Sequence, residues 1–422
     1  MRNFLFLLIA STSMFVACKS QGNKGEDLLR SQDFQSALQE KLIQAKDGDV
    51  IELPEGTFNL KKTLSIEGLN NITVKGQGRD KTILSFKGQE EGSEGIYASN
   101  VKNILFSDFT IQDTKGDNIK VINGDGVTFR NMNGTWTNGA KESNGGYAFY
   151  PVQSKNVLIE HSEASFASDA GIYVGQSQNV VVRWCYAHDN VAGIEIENCR
   201  NPDVYQNRVS NNTGGILVFD LPGLLVKNGR NCRVTRNEIR ENNHANFAPK
   251  GNIVAIVPPG TGVIVLATDS VDIYHNTIVD HKTVGVAIAS YQITERPIED
   301  SLYGPYTSAI NINHNKISTT KKIVDLTTNM GKLIFATFKK PMDILYDGIS
   351  DPKYRNENGI LPDSMKICIQ SNKGDIRFGT LNAYKAKSTL DLLKYASTDI
   401  TPFNCEINGI TGNKSIIKKI NE

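Results

Sequence analysis

One feature limits what this chain can fold into more than any other, and it is a repeat. Glycines that open short alternating strands fall at Gly171, Gly193 and Gly215, each 22 residues apart, and at Gly262 and Gly285, 23 apart. Eight residues after Gly171, Gly193 and Gly262 come Asn179, Asn201 and Ser270, and Gly95 leads in the same way to Asn103. Six residues beyond that column lies a second one (Asn131, Ser162, Cys185, Asn207, Asn237, Asn276), and five further on a third (Asn190, Asn212, Asn242). Gly and Asn tolerate the left-handed backbone of tight turns, and stacked Asn side chains can bond their copies above and below. Ile, Val and Leu alternate between the turns, which puts one face of every strand inside. Three short strands per period predict an all-β parallel β-helix solenoid of about ten coils. A leucine-rich repeat would need a Leu-rich consensus with a helical segment, and neither is present.

The solenoid is predicted over residues 33–320, including its N-terminal cap. Asp33 before Phe34, Leu38 and Leu42 reads as an N-cap followed by one apolar helical stripe, a cover for the first exposed sheet edge. Past residue 320 the period is lost. Residues 321–422 read as a C-terminal cap and irregular extension, with a strand-like Ile367–Gln370 and a helix at Leu390–Tyr395. Cys185, Cys199 and Cys232 fall in or beside turn columns and read as buried, whereas Cys368 and Cys405 lie outside the repeat and are the disulfide candidates.

Residues 1–17 carry a basic start and an apolar run from Phe4 to Val16, the pattern of an export signal. Phe15-Val16-Ala17-Cys18 resembles a bacterial lipobox with Phe where Leu is usual, which implies acylation of Cys18, a tether over 18–32 and anchoring in the cell envelope, at the outer membrane. With Lys+Arg 46 against Asp+Glu 45, the net charge of +1 leaves no footprint for nucleic acid.

Aligning coils on the glycines identifies the outward side chains. In Gly193-Ile-Glu-Ile-Glu-Asn the isoleucines face in, so Glu195 and Glu197 face out, followed by Asn198. Neighbouring coils add Tyr150 and Gln153, Tyr173 and Gln176, then Leu217, Phe219 and Asp220. Aromatics beside carboxylates and amides are what a saccharide groove is made of, because pyranose faces stack and hydroxyls need acceptors. Exposed Leu217 and Phe219 suggest a partner contact instead. Insertions follow this strip: a loop at Leu221-Pro222-Gly223, a Pro-rich one between Asn243 and Thr261, and one from Gln292 to Thr307. Glu195 and Glu197, two apart on a strand, lie about 6.6 Å apart at Cβ, within the about 6.5–9.5 Å spacing of an inverting glycosidase's acid and base. No cofactor is indicated beyond calcium at turn carboxylates such as Asp169, Asp189 or Asp220. The six histidines show no zinc spacing.

These features resemble the right-handed parallel β-helix (pectate lyase-like) superfamily of pectate lyases, polygalacturonases and mannuronan C5-epimerases. The stretches Ser168–Ser177, Asn190–Asn198 and Thr213–Pro222 are similar to a family of exported parallel β-helix repeat proteins without assigned chemistry. That resemblance implies a c-type cytochrome-like neighbour as a partner. The chemistry of the enzymes does not carry over by motif. The epimerases' Asp-Pro-His is matched here by Tyr150-Pro151-Val152, the strip carries no Arg for a lyase base, and the polygalacturonase motifs are missing. The expectations are therefore an envelope lipoprotein whose strip binds a polysaccharide or an envelope protein, a hydrolase using Glu195 and Glu197, or a scaffold for the cytochrome-like neighbour.

Overall fold

The computed structural model describes residues 33–319, 324–357 and 360–413. Cys18, its signal and its tether lie outside the described residues. Among the described residues no helix is long and apolar enough to cross a membrane.

The chain winds into three parallel sheets of 11, 10 and 11 strands, in which each strand pairs with the equivalent strand of the coils before and after. The first sheet runs from Val50–Glu52 to Ile367–Gln370, the second from Gly56–Asn59 to Lys316–Ser318, and the third from Lys62–Glu67 to Phe378–Thr380. Inward Ile, Val and Phe side chains form one continuous core along the axis, including Ile172, Ile194, Ile196 and Ile216. The turn columns are backed by hydrogen-bonded ladders. Asn207, Asn237, Asn276, Asn315 and Asn372 each accept from the backbone N–H of the preceding coil, at 2.9–3.0 Å for the first four links starting at Cys185, and at 3.0 Å for Asn372. Asn190, Asn212 and Asn242 form a second ladder.

Helix α1 (Phe34–Gln44) covers the first coil, with Leu38 and Leu42 buried and the Asp33 carboxylate accepting from the Ser36 N–H at 3.2 Å. At the other end the expected boundary is corrected, because the solenoid does not stop at 320. Met342–Tyr346 and Phe378–Thr380 extend the third sheet, and Ile367–Gln370 extends the first. Helix α2 (Asn329–Phe338) precedes these strands, irregular excursions lie between them, and helix α3 (Thr389–Tyr395) follows. Cys368 and Cys405 form a disulfide, while Cys185, Cys199 and Cys232 are free and buried. Beyond Cys405 the chain lies over the first sheet, where Asp272 accepts from the Ile410 N–H and Asp203 from the Asn413 N–H.

Candidate functional site: the outer face of the third sheet

One column of outward side chains follows the register of the third sheet: Tyr97, Lys120 and Tyr150, then Tyr173, Glu195, Leu217, Ile264 and Ala287. The insertions decide which of these meet water. Loops 221–229, 243–260 and 290–309 fold over the face and bind one another, through Lys227–Asp300 at 2.8 Å, Tyr303 Oη donating to the Asp220 carbonyl at 2.6 Å, and Arg296 donating to the Gly251 carbonyl at 3.0 Å. Under them Leu217 and Phe219 are 0% and 3% exposed and join Val254, Val257, Tyr291 and Tyr303 in a second apolar core. The expected exposure of Leu217 and Phe219, and with it their role as a partner contact, is therefore corrected: they are covered by the chain's own loops.

Several polar residues of the expected strip also hold loops. The Gln176 side-chain oxygen accepts from the Leu225 N–H at 3.0 Å. Buried Asn198 bonds Leu221 through both its amide groups and also donates to the Val226 carbonyl. Asp220 accepts from the Gly229 N–H at 2.8 Å and the Asn228 N–H at 3.2 Å, and burial pushes its carboxyl up to about 7. Gln153 sits half-buried in a left-handed turn.

The carboxylates cluster behind this cover. Glu195 and Glu197 do point outward, yet they are 1% and 8% exposed. Tyr173 Oη donates to Glu197 Oε1 at 2.6 Å, and its ring lies over Gly175, where a Cβ would come within 2.3 Å of the hydroxyl. Burial raises the Glu197 carboxyl, against the lowering effect of that bond. The Glu195 carboxyl meets Asp169, and burial, reinforced by that neighbour, raises it well above the usual range. Asp169 is pushed up to about 7, by burial first and the charge of Glu197 second. Asp169 Oδ1 and Glu195 Oε2 receive no N–H or O–H from any other described residue. Two neighbouring buried carboxyls disfavour each other's charge, so the pair keeps one proton between them near neutral pH. Asn252 reaches in from loop 243–260 and donates to Asp169 Oδ2 at 3.3 Å. With both Glu195 and Glu197 occupied under cover, they do not form the open acid and base flanking a substrate that the sequence spacing suggests.

The open part of the face lies two coils N-terminal to the expected centre. Half-buried Tyr147 and Tyr150 pack on Tyr173, itself only 4% exposed, in an aromatic triplet with ring centroids 4.4–4.9 Å apart. The Lys120 ammonium lies 4.8 Å from the centre of the Tyr150 ring. Half-buried Asp117 accepts from the Tyr147 N–H at 3.2 Å, and burial pushes its carboxyl up to about 7, with Lys120 opposing. Sequence reasoning missed Asp117, Lys120 and Tyr147 as a group. Extending the Gly171 alignment backwards through Gly95 would have placed Tyr97 and Lys120 in the same outward column.

Asp169, Asp189 and Asp220 do not converge as a calcium site. Asp189 bonds His188 at 2.6 Å, on the second sheet, and Asp220 is taken up by backbone. Among the described residues no group of three or more His, Cys, Asp or Glu is placed to hold a metal ion.

A family model described as a right handed beta helix region matches residues 94–222. The preneck appendage protein of Bacillus phage PZA and the pre-neck appendage protein of Bacillus phage phi29 are each 26% identical over 238 residues, 48% of this chain. The chain spans 27% of the length of each of those relatives. Among solved structures, the Azotobacter vinelandii mannuronan C-5 epimerase AlgE4 A-module is 16% identical with a TM-score of 0.49, over 82% of this chain and 93% of its own. DFA-IIIase from Arthrobacter chlorophenolicus is 11% identical with a TM-score of 0.45, over 83% and 94%. Three parallel sheets wound as successive coils make the chain an all-β parallel β-helix solenoid, and residues 94–222 match the right handed beta helix region.

Proposed function

We propose that this protein binds a polysaccharide on the open, N-terminal half of the outer face of its third sheet, as a Cys18-acylated lipoprotein of the bacterial cell envelope. The observation that carries the reading is the aromatic triplet Tyr147, Tyr150 and Tyr173, set beside Lys120 and Asp117 at the edge of the covering loops. Tyr rings offer apolar faces for pyranose stacking, while the ammonium and the carboxyl supply a donor and an acceptor for ring substituents. Affinity electrophoresis against uronate-containing and neutral polysaccharides tests it. Tyr150→Ala should weaken retardation about tenfold, the equivalent of about 1.4 kcal/mol, with an unchanged circular dichroism spectrum. Equal retardation of wild type and variant on every polysaccharide would remove the face from consideration. Mass spectrometry of the mature N terminus tests the lipid, which should sit on Cys18.

A second reading is turnover by proton transfer, and Asp117 favours it. A half-buried carboxyl that titrates near neutrality beside an ammonium suits general acid–base work. Asp117→Asn would then retain binding and lose turnover. A protein neighbour such as a cytochrome-like one would meet the outer side of loop 243–260, since Leu217 and Phe219 are covered.

A further inference from the structure

C-terminal to the carboxylates, the outer face of the third sheet floors a cavity of about 870 Å³. Its floor crosses five successive strands, from Phe219 to Leu381 just after the last strand. At about 4.8 Å between strands that is about 19 Å. The floor is mainly aliphatic, with Ile264, Leu266, Ala287 and Leu345 along it. The walls come from distant parts of the chain: the turn Ile253–Ile256, the turn Tyr291–Thr294, α2 and α3. At the rim Ile256 and Leu390 remain 50% and 76% exposed.

Charge is confined to three lining residues. Asp347 is used up internally, accepting from the backbone N–H groups of Ser290 at 2.7 Å and Ile349 at 2.8 Å. Glu295 and Lys332 are exposed, and among the described residues Lys332 makes no ion pair. The volume falls in the range of small-molecule sites, and an aliphatic floor about 19 Å long with this ammonium at its edge suits a long aliphatic occupant finished by an anionic group. We propose that this cavity is a binding site for a long-chain acyl group, the chain lying across the strands and an anionic head held at Lys332. The proposal does not rest on the saccharide reading, because none of its lining residues belongs to the aromatic triplet or the carboxylate cluster.

The test is titration of the mature protein with palmitate, by calorimetry and by displacement of bound 1-anilinonaphthalene-8-sulfonate. One palmitate should bind per chain. Ala287→Trp, which fills the floor, should abolish binding without lowering the melting temperature. Lys332→Glu should weaken palmitate about fivefold, as expected for an exposed ion pair, and leave hexadecan-1-ol unaffected. Absence of palmitate binding, or binding that Ala287→Trp leaves unchanged, would overturn the proposal. So would a concentration-dependent dimer that Ala287→Trp dissociates and palmitate does not affect, which would give the cavity to a second copy of the chain.

Discussion

Replacing Glu195 by Gln should make the protein's stability less dependent on pH, and the size of the change follows from the buried pair. Asp169 titrates near 7 in the folded chain against 3.8 for an ordinary aspartate. The folded state therefore holds that proton more tightly than the unfolded state does, by about 4 kcal/mol. This stabilisation is fully present below pH 3.8 and is lost as pH rises through 7. Between pH 5 and pH 8 the loss from Asp169 alone is about 3 kcal/mol. Glu195, raised by the same burial and by Asp169, adds a loss of the same sign. Glu195→Gln removes the Glu195 titration and its charge, while burial and Glu197 keep Asp169 raised. Asp117, Asp220 and Asp347 also titrate high and contribute a slope of their own. The informative quantity is thus the difference between wild type and variant in urea unfolding at pH 5 and at pH 8. The variant should lose less stability than wild type across that interval, by an amount on the order of the 3 kcal/mol that a carboxyl raised as far as Asp169 loses. Unfolding curves whose separation stays constant within about 0.5 kcal/mol would refute the shared proton.

Three further outcomes follow from the same structure. Asn237→Ala removes the acceptor of the Asn207 N–H and the donor to the Val204 carbonyl, and should cost about 3 kcal/mol in urea unfolding. Breaking the Cys368–Cys405 bridge, with a sequence separation of 37, should cost up to about 4 kcal/mol. Hydrogen exchange would locate the loosening at the Ile410 and Asn413 amides, which bond Asp272 and Asp203. His188 should titrate above the ordinary histidine value in proton NMR. Burial opposes its charge, but Glu163 at 3.2 Å and Asp189 at 2.6 Å outweigh it, so the stability it contributes is present at low pH and lost as pH rises through its folded pKa.

The solenoid was legible because each coil repeats the same physical demand. Many left-handed turn positions take Asn, inward positions take Ile or Val, and most ladder positions take an Asn that bonds to the neighbouring coil. The second column was read one residue out at its first member: Met132, not Asn131, stands in register with Ser162. Residues 342–380 are not legible as solenoid because α2 separates them from the preceding coil and long excursions separate their strands, which leaves no fixed spacing to count. For the site, the outward sense of Tyr150, Tyr173, Glu195 and Glu197 followed from alternation alone. Their exposure did not, because it depends on where loops 243–260 and 290–309 fall after leaving the solenoid. Lengths of insertions showed that loops flank the face, and only the bonds from Asn252, Tyr303 and Arg296 show that they lie on it. Asn198 and Asp220 have the residue types of ligand contacts, yet their partners are backbone groups of the loop 221–229.

Saturation-transfer NMR on the protein mixed with a polysaccharide panel tests the central claim most directly, with wild type and Tyr150→Ala run side by side in heavy water. The account predicts transfer from aromatic protons to ring protons of at least one polysaccharide, lost in the variant. New anomeric, unsaturated or deuterium-exchanged signals would add turnover to binding. No transfer from wild type to any saccharide, or transfer that Tyr150→Ala leaves intact, would contradict a saccharide site on this face.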